Sequence, residues 1–331
     1  MRFRKRPTTS HVGTQGMRER GLSVGPHAWL TRHKDSGSTL LFHAEVDDHP
    51  TPIGDSEDPR AYSTFLKSRP ESFEIEAISR IINLQREFPT LRCHIVHLSA
   101  ADALPIIRSA KAAGHKLTVE TCFHYLCLAL DSIPDGRPEF KCCPPIRDAA
   151  NREALWAALL DGTIDCVVSD HSPCIAELKK LEQGDIVGAW GGISTLGLGL
   201  SLLWTVGQKR NVPIGTILQW VSEKTASHAG LGDRKGKIAA GYDADLVIWD
   251  PDVQYTVRFL LFDHSMTIDS GVRSRKKGFS SRTSSLHTKA WCSPGEWSRP
   301  YFAGVRFTTD FPIHSKNRSR QEYFFEDFTV E

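Results

Sequence analysis

The stretch CVVSDHSP, residues 166–173, is an apolar run that ends abruptly in polar side chains. Its first three residues have the character of a buried strand, and Asp170, His171 and Ser172 follow where that strand would end. Such an aspartate can simply cap the next element in a turn. It can also bind a metal ion or carry protons. Which interpretation holds depends on whether other strand ends in the chain bear the same chemistry.

Segments of strand and helix character alternate along the middle of the chain. The predicted strands are STLLFHAEV (38–46), RCHIVHLS (92–99), KLTVETCFHY (116–125) and TIDCVVSD (163–170). The predicted helices cover residues 72–88, 101–114, 148–160, 193–209 and 214–230. Apolar residues recur at helical spacing in these segments, and Pro89 and Gly114 follow the ends of the first two. This alternation with short connections predicts a parallel α/β fold.

Pattern changes divide the chain into four parts. Residues 1–37 have no sustained periodicity and are predicted to be an irregular N-terminal segment, and residues 38–235 hold the α/β unit. Residues 236–257 include GKIAAGYDADLVIWD (236–250), whose alternation and turn glycines predict a β-hairpin in a small β segment. Residues 258–331 are rich in Ser, Lys and Arg and are predicted to be a disordered tail.

The bulk composition is that of an ordinary globular protein. The 331 residues are 40% hydrophobic and 24% charged, with a net charge of +2, which supports neither a nucleic-acid nor a membrane partner. The 8 cysteines include no C-x-x-C pair, so we predict reduced thiols and a cytoplasmic location. The Arg-rich start, MRFRKRPTTSHV, is followed by no apolar core, which disfavours a secretory signal.

Four successive predicted strands end in side chains that bind metals or transfer protons. These are His43 and Glu45, His97 and Ser99, Glu120 and His124, and Asp170 and His171. Because the carboxyl ends of parallel strands meet at one edge of the sheet, we expect a convergent cluster there. Imidazole and carboxylate together suit zinc and similar divalent ions. The alternative for His43 and His97 is a hydrogen-bonded core histidine, and strand parity favours that structural role for His94.

Eight motifs in order resemble the allantoinase family of cyclic amidohydrolases. They are LLFHAE, RPESFEIEAI, HIVHLS, VETCFHY, KCCPPIRD, IDCVVSDHSPC, AWGGI and GKIAAGYDADLVIWDP, and they span roughly residues 38–255. The resemblance implies a (β/α)8 barrel with two metal ions, usually zinc. It also implies hydrolysis of the cyclic amide of allantoin to allantoate, a step of purine and ureide degradation.

The resemblance also assigns roles to individual residues. His43 and His97 would be metal ligands on the fifth and sixth barrel strands, and Asp170, on the eighth, would be both a ligand and the proton shuttle. The substrate would be contacted by His171, Ser172, Cys143, Pro144, Trp190 and Gly191.

Two parts of the family pattern are not found in this sequence. The first barrel strand should end in H-x-H, but the sequence contains no H-x-H, and the lysines before His43 are Lys5 and Lys34, neither after an apolar strand. We therefore expect a partial barrel, strands five to eight, that is truncated at its N-terminal half and diverges after residue 257. Open sheet edges would favour association, so a homo-oligomer is predicted.

Three functional hypotheses remain open on the sequence. The first is an allantoinase-type zinc amidohydrolase. The second is a catalytically inactive amidohydrolase-like binding protein, which the missing H-x-H and lysine favour. The third is a dihydropyrimidinase or hydantoinase, which shares the strand-end histidines. Zinc content distinguishes the first two, and a comparison of allantoin with dihydrouracil distinguishes the first from the third.

Overall fold

The computed structural model describes residues 9–13, 37–46, 53–54, 56–247, 249–251, 259–262 and 265–268. Within these residues no helix is both long and apolar enough to cross a membrane.

A parallel sheet of five strands organises the fold. The strands are β1 (Thr9–Gly13), β2 (Thr39–His43), β3 (Arg92–Ile95), β4 (Leu117–Cys122) and β5 (Cys166–Val168), and they pair in this order. The predicted parallel α/β fold is confirmed. Parallel neighbours need a crossover segment between them, and helices lie between β2 and β3, β3 and β4, and β4 and β5.

Nine α-helices lie in the described residues. They are α1 (Tyr62–Ser68), α2 (Ser72–Glu87), α3 (Leu104–Ala112), α4 (Phe123–Cys127), α5 (Ala149–Leu160), α6 (Ala176–Lys179), α7 (Gly199–Gln208), α8 (Ile214–Leu218) and α9 (Lys224–His228). A π-helical turn, Gln219–Glu223, joins α8 to α9. The sequence signals act as expected: α2 ends before Pro89, and Asp148 caps α5 by accepting a hydrogen bond from the Asn151 amide at 2.8 Å.

The strands end earlier than predicted because the chain turns sharply after them. His97 and Asp170 both have φ of +43°, a left-handed conformation that ends the extended run two residues after β3 and β5. After β4 the chain enters α4 directly, so His124 and Tyr125 lie on a helix and not on the predicted strand.

Alternate residues of the strands separate an apolar face from a polar one. Leu40, Phe42, Ile95 and Val119 are buried in the main core together with Ile78 of α2. Burial of each such side chain contributes about 1.5–3 kcal/mol relative to leaving it exposed. The intervening positions include the polar residues His43, His94, Thr118 and Glu120, whereas His97, His124 and Asp170 lie just beyond the strand ends.

His94 has the structural role that strand parity suggested. Its ring is fully buried, its Nδ1 lies 2.7 Å from Thr118 Oγ1, and its Nε2 lies 3.0 Å from Glu120 Oε2. The ring of His228, in α9, packs on it with centroids 3.8 Å apart. The polar face of β3 and β4 thereby contacts α9.

Two strands form where none was expected. β1 lies inside the segment predicted to be irregular. Its sequence, TSHVG, contains a single strongly apolar residue, so it shows no hydrophobic pattern from which a strand could be predicted. The segment predicted to be disordered contains β6 (Phe259–Phe262) and β7 (Ser265–Ile268), which pair antiparallel with Phe262 opposite Ser265.

The predicted hairpin at residues 236–250 is wrong for the residues that are described there. Residues 236–247 and 249–250 form turns and irregular backbone without a strand. Ile238, Leu246 and Val247 remain exposed. A segment with alternating apolar residues forms a strand only where it can pair with another strand and bury its apolar side chains. Among the described residues, this segment does neither.

The half-buried His228 predicts acid sensitivity of the fold. Burial, then the neighbouring His94 and Arg92, lower the pKa of His228 to about 4, against the opposing effect of Glu120 and Asp165. The unfolded chain binds a proton at this histidine near pH 6.5, so stability falls as the pH drops from about 6.5 towards 4. We expect the loss of urea midpoint between pH 7 and pH 5 to be smaller in His228→Phe than in the wild type. Equal losses would contradict this assignment.

Candidate metal centre and active site

His43 and His97 meet at the carboxyl ends of neighbouring strands. His43 Nδ1 lies 2.8 Å from His97 Nε2, and the two rings cross at 71° with centroids 4.5 Å apart. His43 Nε2 lies 3.3 Å from Glu45 Oε2, which also accepts a hydrogen bond from Arg69 Nη1 at 2.5 Å. A carboxylate on the far nitrogen of a metal-binding histidine fixes its ring orientation, and Glu45 is placed to do this for His43.

The two facing nitrogens fit a shared metal ion with little rearrangement. Zinc–nitrogen bonds of about 2.0–2.1 Å at the tetrahedral angle would hold two imidazole nitrogens about 3.3 Å apart. The observed separation is 2.8 Å. Burial, then the neighbouring His43, lower the pKa of His97 to about 3, so its ring is neutral at physiological pH. Neutral imidazole is the form that binds metals.

Asp170 groups with two residues that sequence reasoning did not assign. A carboxylate oxygen of Asp170, the thiol of Cys122 and a ring nitrogen of His124 all lie within 4.8 Å of one another. Among the described residues, His43, His97 and Asp170 do not form such a group of three. Burial, then the charge of Glu120, raise the pKa of Asp170 to about 6, while His43 opposes that rise.

His97 and Asp170 share a strained backbone conformation. Both have φ of +43°, which residues with a Cβ adopt at an energetic cost. The chain tolerates this conformation at two of the three predicted ligand positions. Strained residues of this kind cluster at functional sites, which supports a role for this sheet edge.

His171 and Ser172 are fixed by the backbone of residues 193–196. His171 Nδ1 accepts hydrogen bonds from the amides of Thr195 and Leu196, each at 3.1 Å. A ring nitrogen that accepts has no proton, so the neutral ring carries its proton on Nε2. Ser172 Oγ accepts from the Ile193 amide at 3.1 Å and donates to the Asp170 carbonyl at 3.1 Å.

Three hydroxyl groups from different elements hold the CPPIRD loop. Tyr125 Oη donates to the Pro144 carbonyl at 2.7 Å, and Ser99 Oγ donates to the Pro145 carbonyl at 2.6 Å. Tyr62 Oη accepts from the Ile146 amide at 2.8 Å. Cys143 and Pro144, both predicted substrate contacts, are therefore held in a rigid loop.

Two buried lysines hold the segment that contains Trp190 and Gly191. Lys179 Nζ donates to the carbonyls of Lys141, Trp190 and Gly192 at 2.8, 3.0 and 2.5 Å. Lys141 Nζ donates to the carbonyls of Val187 and Ala189 at 2.7 and 2.8 Å. Burial lowers the pKa of Lys179 to about 8. The Trp190 side chain is 51% exposed, so it is available to a ligand.

Gly191 and Cys143, two of the predicted substrate contacts, lie against each other. A Cβ at Gly191 would lie 2.6 Å from Cys143 Sγ. We expect Gly191→Ala to lower the free energy of unfolding by about 1–3 kcal/mol through overpacking. Cys143→Ala should recover part of this loss in the double variant, because the clashing sulfur is gone. Urea denaturation of the four proteins measures the coupling, and strictly additive effects would contradict the contact.

The residues that sequence reasoning missed carry weak sequence signals. His124 was noted at a strand end without a role, and Cys122 stands beside it in VETCFHY. Lys179 and Lys141 gave no signal, because lysine is almost always exposed and only tertiary structure shows that these two are buried.

Solved structures of cyclic amide hydrolases share this fold. A D-hydantoinase from Bacillus sp. AR9 superimposes with a TM-score of 0.63 at 30% identity, over 76% of this chain and 55% of that chain. An L-hydantoinase (dihydropyrimidinase) from Arthrobacter aurescens gives a TM-score of 0.63 at 26% identity, over 71% of this chain and 53% of that chain.

Curated allantoinases are more similar in sequence. The Saccharomyces cerevisiae allantoinase is 45% identical over 72% of this chain and 52% of its own length. The Streptomyces avermitilis allantoinase is 44% identical over 78% and 55%, and the mitochondrial allantoinase of Aquarana catesbeiana is 50% identical over 62% and 42%. The chain thus spans about half the length of the curated relatives that it matches, and its resemblance to allantoinases is confirmed. Residues 27–276 match the amidohydrolase family, and the chain belongs to that family.

Proposed function

We propose that this chain carries part of the active site of a zinc-dependent hydrolase that opens the cyclic amide of allantoin to allantoate. The observation that carries the proposal is the 41–50% identity to curated allantoinases. The pairing of His43 Nδ1 with His97 Nε2 at 2.8 Å supports it, since both atoms can serve one ion.

Different residues would have different roles in the reaction. His43 and His97 would hold one ion, and Asp170 would belong to a second position. A bound ion in such a site polarises the amide carbonyl and lowers the pKa of a water molecule. Asp170 would take the proton of the attacking water and deliver it to the leaving ring nitrogen. His171, with its proton on Nε2, would donate a hydrogen bond to the substrate.

The remaining predicted contacts would form the walls around the substrate ring. Cys143 and Pro144 lie in the loop held by three hydroxyl groups, and Trp190 and Gly191 lie in the segment held by Lys179 and Lys141. Ser172, bonded to the Ile193 amide, would lie between these walls and Asp170. Rigid walls favour catalysis because they hold the substrate in one orientation.

We further propose that β2–β5 are the fifth to eighth strands of a (β/α)8 barrel. The H-x-H pair would then come from outside this sequence, since a homo-oligomer, which we also propose, repeats a sequence without H-x-H. The bridging lysine would come from outside it as well. We also propose that the α/β unit covers residues 38–235 and is followed by a small β segment at residues 236–257. A cytoplasmic location is proposed as well.

Hydantoinase or dihydropyrimidinase activity is the second candidate. The solved structures that share the fold carry those names, but at 26–30% identity they are less similar than the allantoinases. Dihydrouracil should therefore be a poorer substrate than allantoin. A higher rate on dihydrouracil would reverse the assignment.

The test is zinc content and hydrolysis in matched histidine variants of the full chain. His43→Asn removes a proposed ligand, whereas His115→Asn removes a half-buried histidine that pairs with Gln85 at 3.1 Å. We expect His43→Asn to bind zinc at least about tenfold more weakly and His115→Asn to match the wild type. A wild-type protein that binds no zinc and hydrolyses neither substrate would instead support the inactive binding protein.

A further inference from the structure

His124 is a buried histidine without a hydrogen-bonding partner. Its side chain is almost completely buried, and neither Nδ1 nor Nε2 has a partner among the described residues. An unpaired buried polar group costs about 1–3 kcal/mol. Buried polar groups that lack partners call for an explanation such as a bound ion. The ring of Tyr125, 4.2 Å away between centroids, packs against this ring but offers it no acceptor.

The sheet register brings two further donors to this histidine. Cys122 is the last residue of β4 and pairs with Val168, the last residue of β5. Asp170 follows Val168 by two residues, and His124 follows Cys122 by two, in the first turn of α4. The thiol, one imidazole nitrogen and a carboxylate oxygen consequently lie within 4.8 Å of one another.

We propose that Cys122, His124 and Asp170 form a binding site for one thiophilic divalent cation, zinc being the expected ion. Thiolate, imidazole and carboxylate are all zinc ligands, and three protein ligands leave a fourth position open. A thiolate disfavours magnesium, calcium and manganese, which prefer oxygen. On binding, the Cys122 thiol loses its proton to solvent and the sulfur–metal bond forms.

This site is distinct from the His43–His97 pair, although both lie at the same sheet edge. The facing nitrogens of that pair contact each other at 2.8 Å and draw on β2 and β3. The new site draws on β4, α4 and the segment after β5. Cys122 and His124 are buried and Asp170 is half-buried, so the ion would enter from the side of Asp170. The inference does not depend on allantoin being the substrate.

Cobalt(II) titration of the metal-free full chain tests the proposal. A cobalt–thiolate bond produces a near-ultraviolet charge-transfer band, which oxygen and nitrogen ligands alone do not. We expect the band in the wild type, its loss in Cys122→Ser, and its retention in Cys166→Ser, which removes another buried thiol from the adjacent strand. His43→Asn should also retain the band, because that histidine belongs to the other site.

Two outcomes would overturn the proposal. One is a wild-type cobalt complex without a thiolate band, and the other is a band that persists in Cys122→Ser. Loss of the band in His43→Asn would refute a separate site. Should Cys122→Ser fail to fold, as judged by circular dichroism, zinc-edge X-ray absorption of the wild type decides, since it must show a sulfur neighbour at about 2.3 Å. These measurements do not depend on catalysis, so a negative result would refute the metal site without refuting the proposed activity.

Discussion

Replacing Glu74 by alanine is expected to lower the free energy of unfolding by about 3–5 kcal/mol, because the change removes the closer of the two carboxylates that pair with buried Arg147 and leaves two buried amides without an acceptor. Glu74 Oε1 lies 3.1 Å from Arg147 Nη2, and both side chains are buried. Glu74 Oε2 accepts hydrogen bonds from the amides of Ser99 and Ala100 at 2.9 and 3.1 Å. The alanine would leave both amides without this acceptor and would leave Arg147 with only the more distant Glu71 carboxylate, at 3.7 Å.

The same helix supplies the control for this prediction. Glu76 forms an exposed pair with Arg80 one turn along α2, with 2.5 Å between Glu76 Oε1 and Arg80 Nη2. Pairs of this kind contribute about 0.3–0.5 kcal/mol, so Glu76→Ala should be nearly neutral. Urea denaturation of both variants measures the difference. Similar losses for the two would show that the buried pair does not stabilise the fold as argued.

Glu74 also connects stability to the candidate site. Glu74 accepts a hydrogen bond from the amide of Ser99, which lies two residues after His97. Its other partner, Arg147, belongs to the CPPIRD loop that carries Cys143. The Glu74 carboxylate therefore holds both the turn after His97, a proposed metal ligand, and the loop of Cys143, a proposed substrate contact. We expect Glu74→Gln to be milder than the alanine variant, because the amide oxygen can still accept from the Ser99 and Ala100 backbone.

The sequence was sufficient to locate the strands that carry the site, for physical reasons. β2 and β5 are mainly apolar runs, whereas β3 and β4 alternate apolar with polar residues, and both patterns are typical of strands buried on the core side. The strand ends then place His43, His97 and Asp170 at one edge. Strand parity also gave the correct structural interpretation of His94, because side chains alternate along a strand with a period of two residues.

The rest depended on tertiary contacts that a local pattern cannot contain. The left-handed turns at His97 and Asp170 decide which donors face one another. Asp and His are enriched in this conformation, but they adopt it too rarely for the sequence alone to predict the turns. Asp170 consequently groups with Cys122 and His124. The alternation in residues 236–250 predicted a hairpin that the described residues do not form, since strand pairing needs a partner as well as a pattern.

Replacing Lys179 by methionine is expected to lower the free energy of unfolding by about 3 kcal/mol or more, because three carbonyl groups lose a charged donor at once. The acceptors are the carbonyls of Lys141, Trp190 and Gly192, and Lys179 is 8% exposed. Methionine keeps most of the volume of the lysine stem, so the change tests the hydrogen bonds and not the packing.

The neighbouring lysine separates this effect from a general loss of positive charge. Lys180 Nζ pairs with Asp185 at 2.6 Å but is 39% exposed, so Lys180→Met should cost only about 0.2–1 kcal/mol. In Lys179→Met we also expect faster hydrogen exchange at the Gly192 amide, which donates to the Lys141 carbonyl at 3.0 Å. Unchanged exchange there, with stability lost, would mean that Lys179 stabilises the fold without holding the wall formed by Trp190 and Gly191. Faster exchange confined to this segment would identify a buried lysine as the residue that keeps the proposed substrate wall in place.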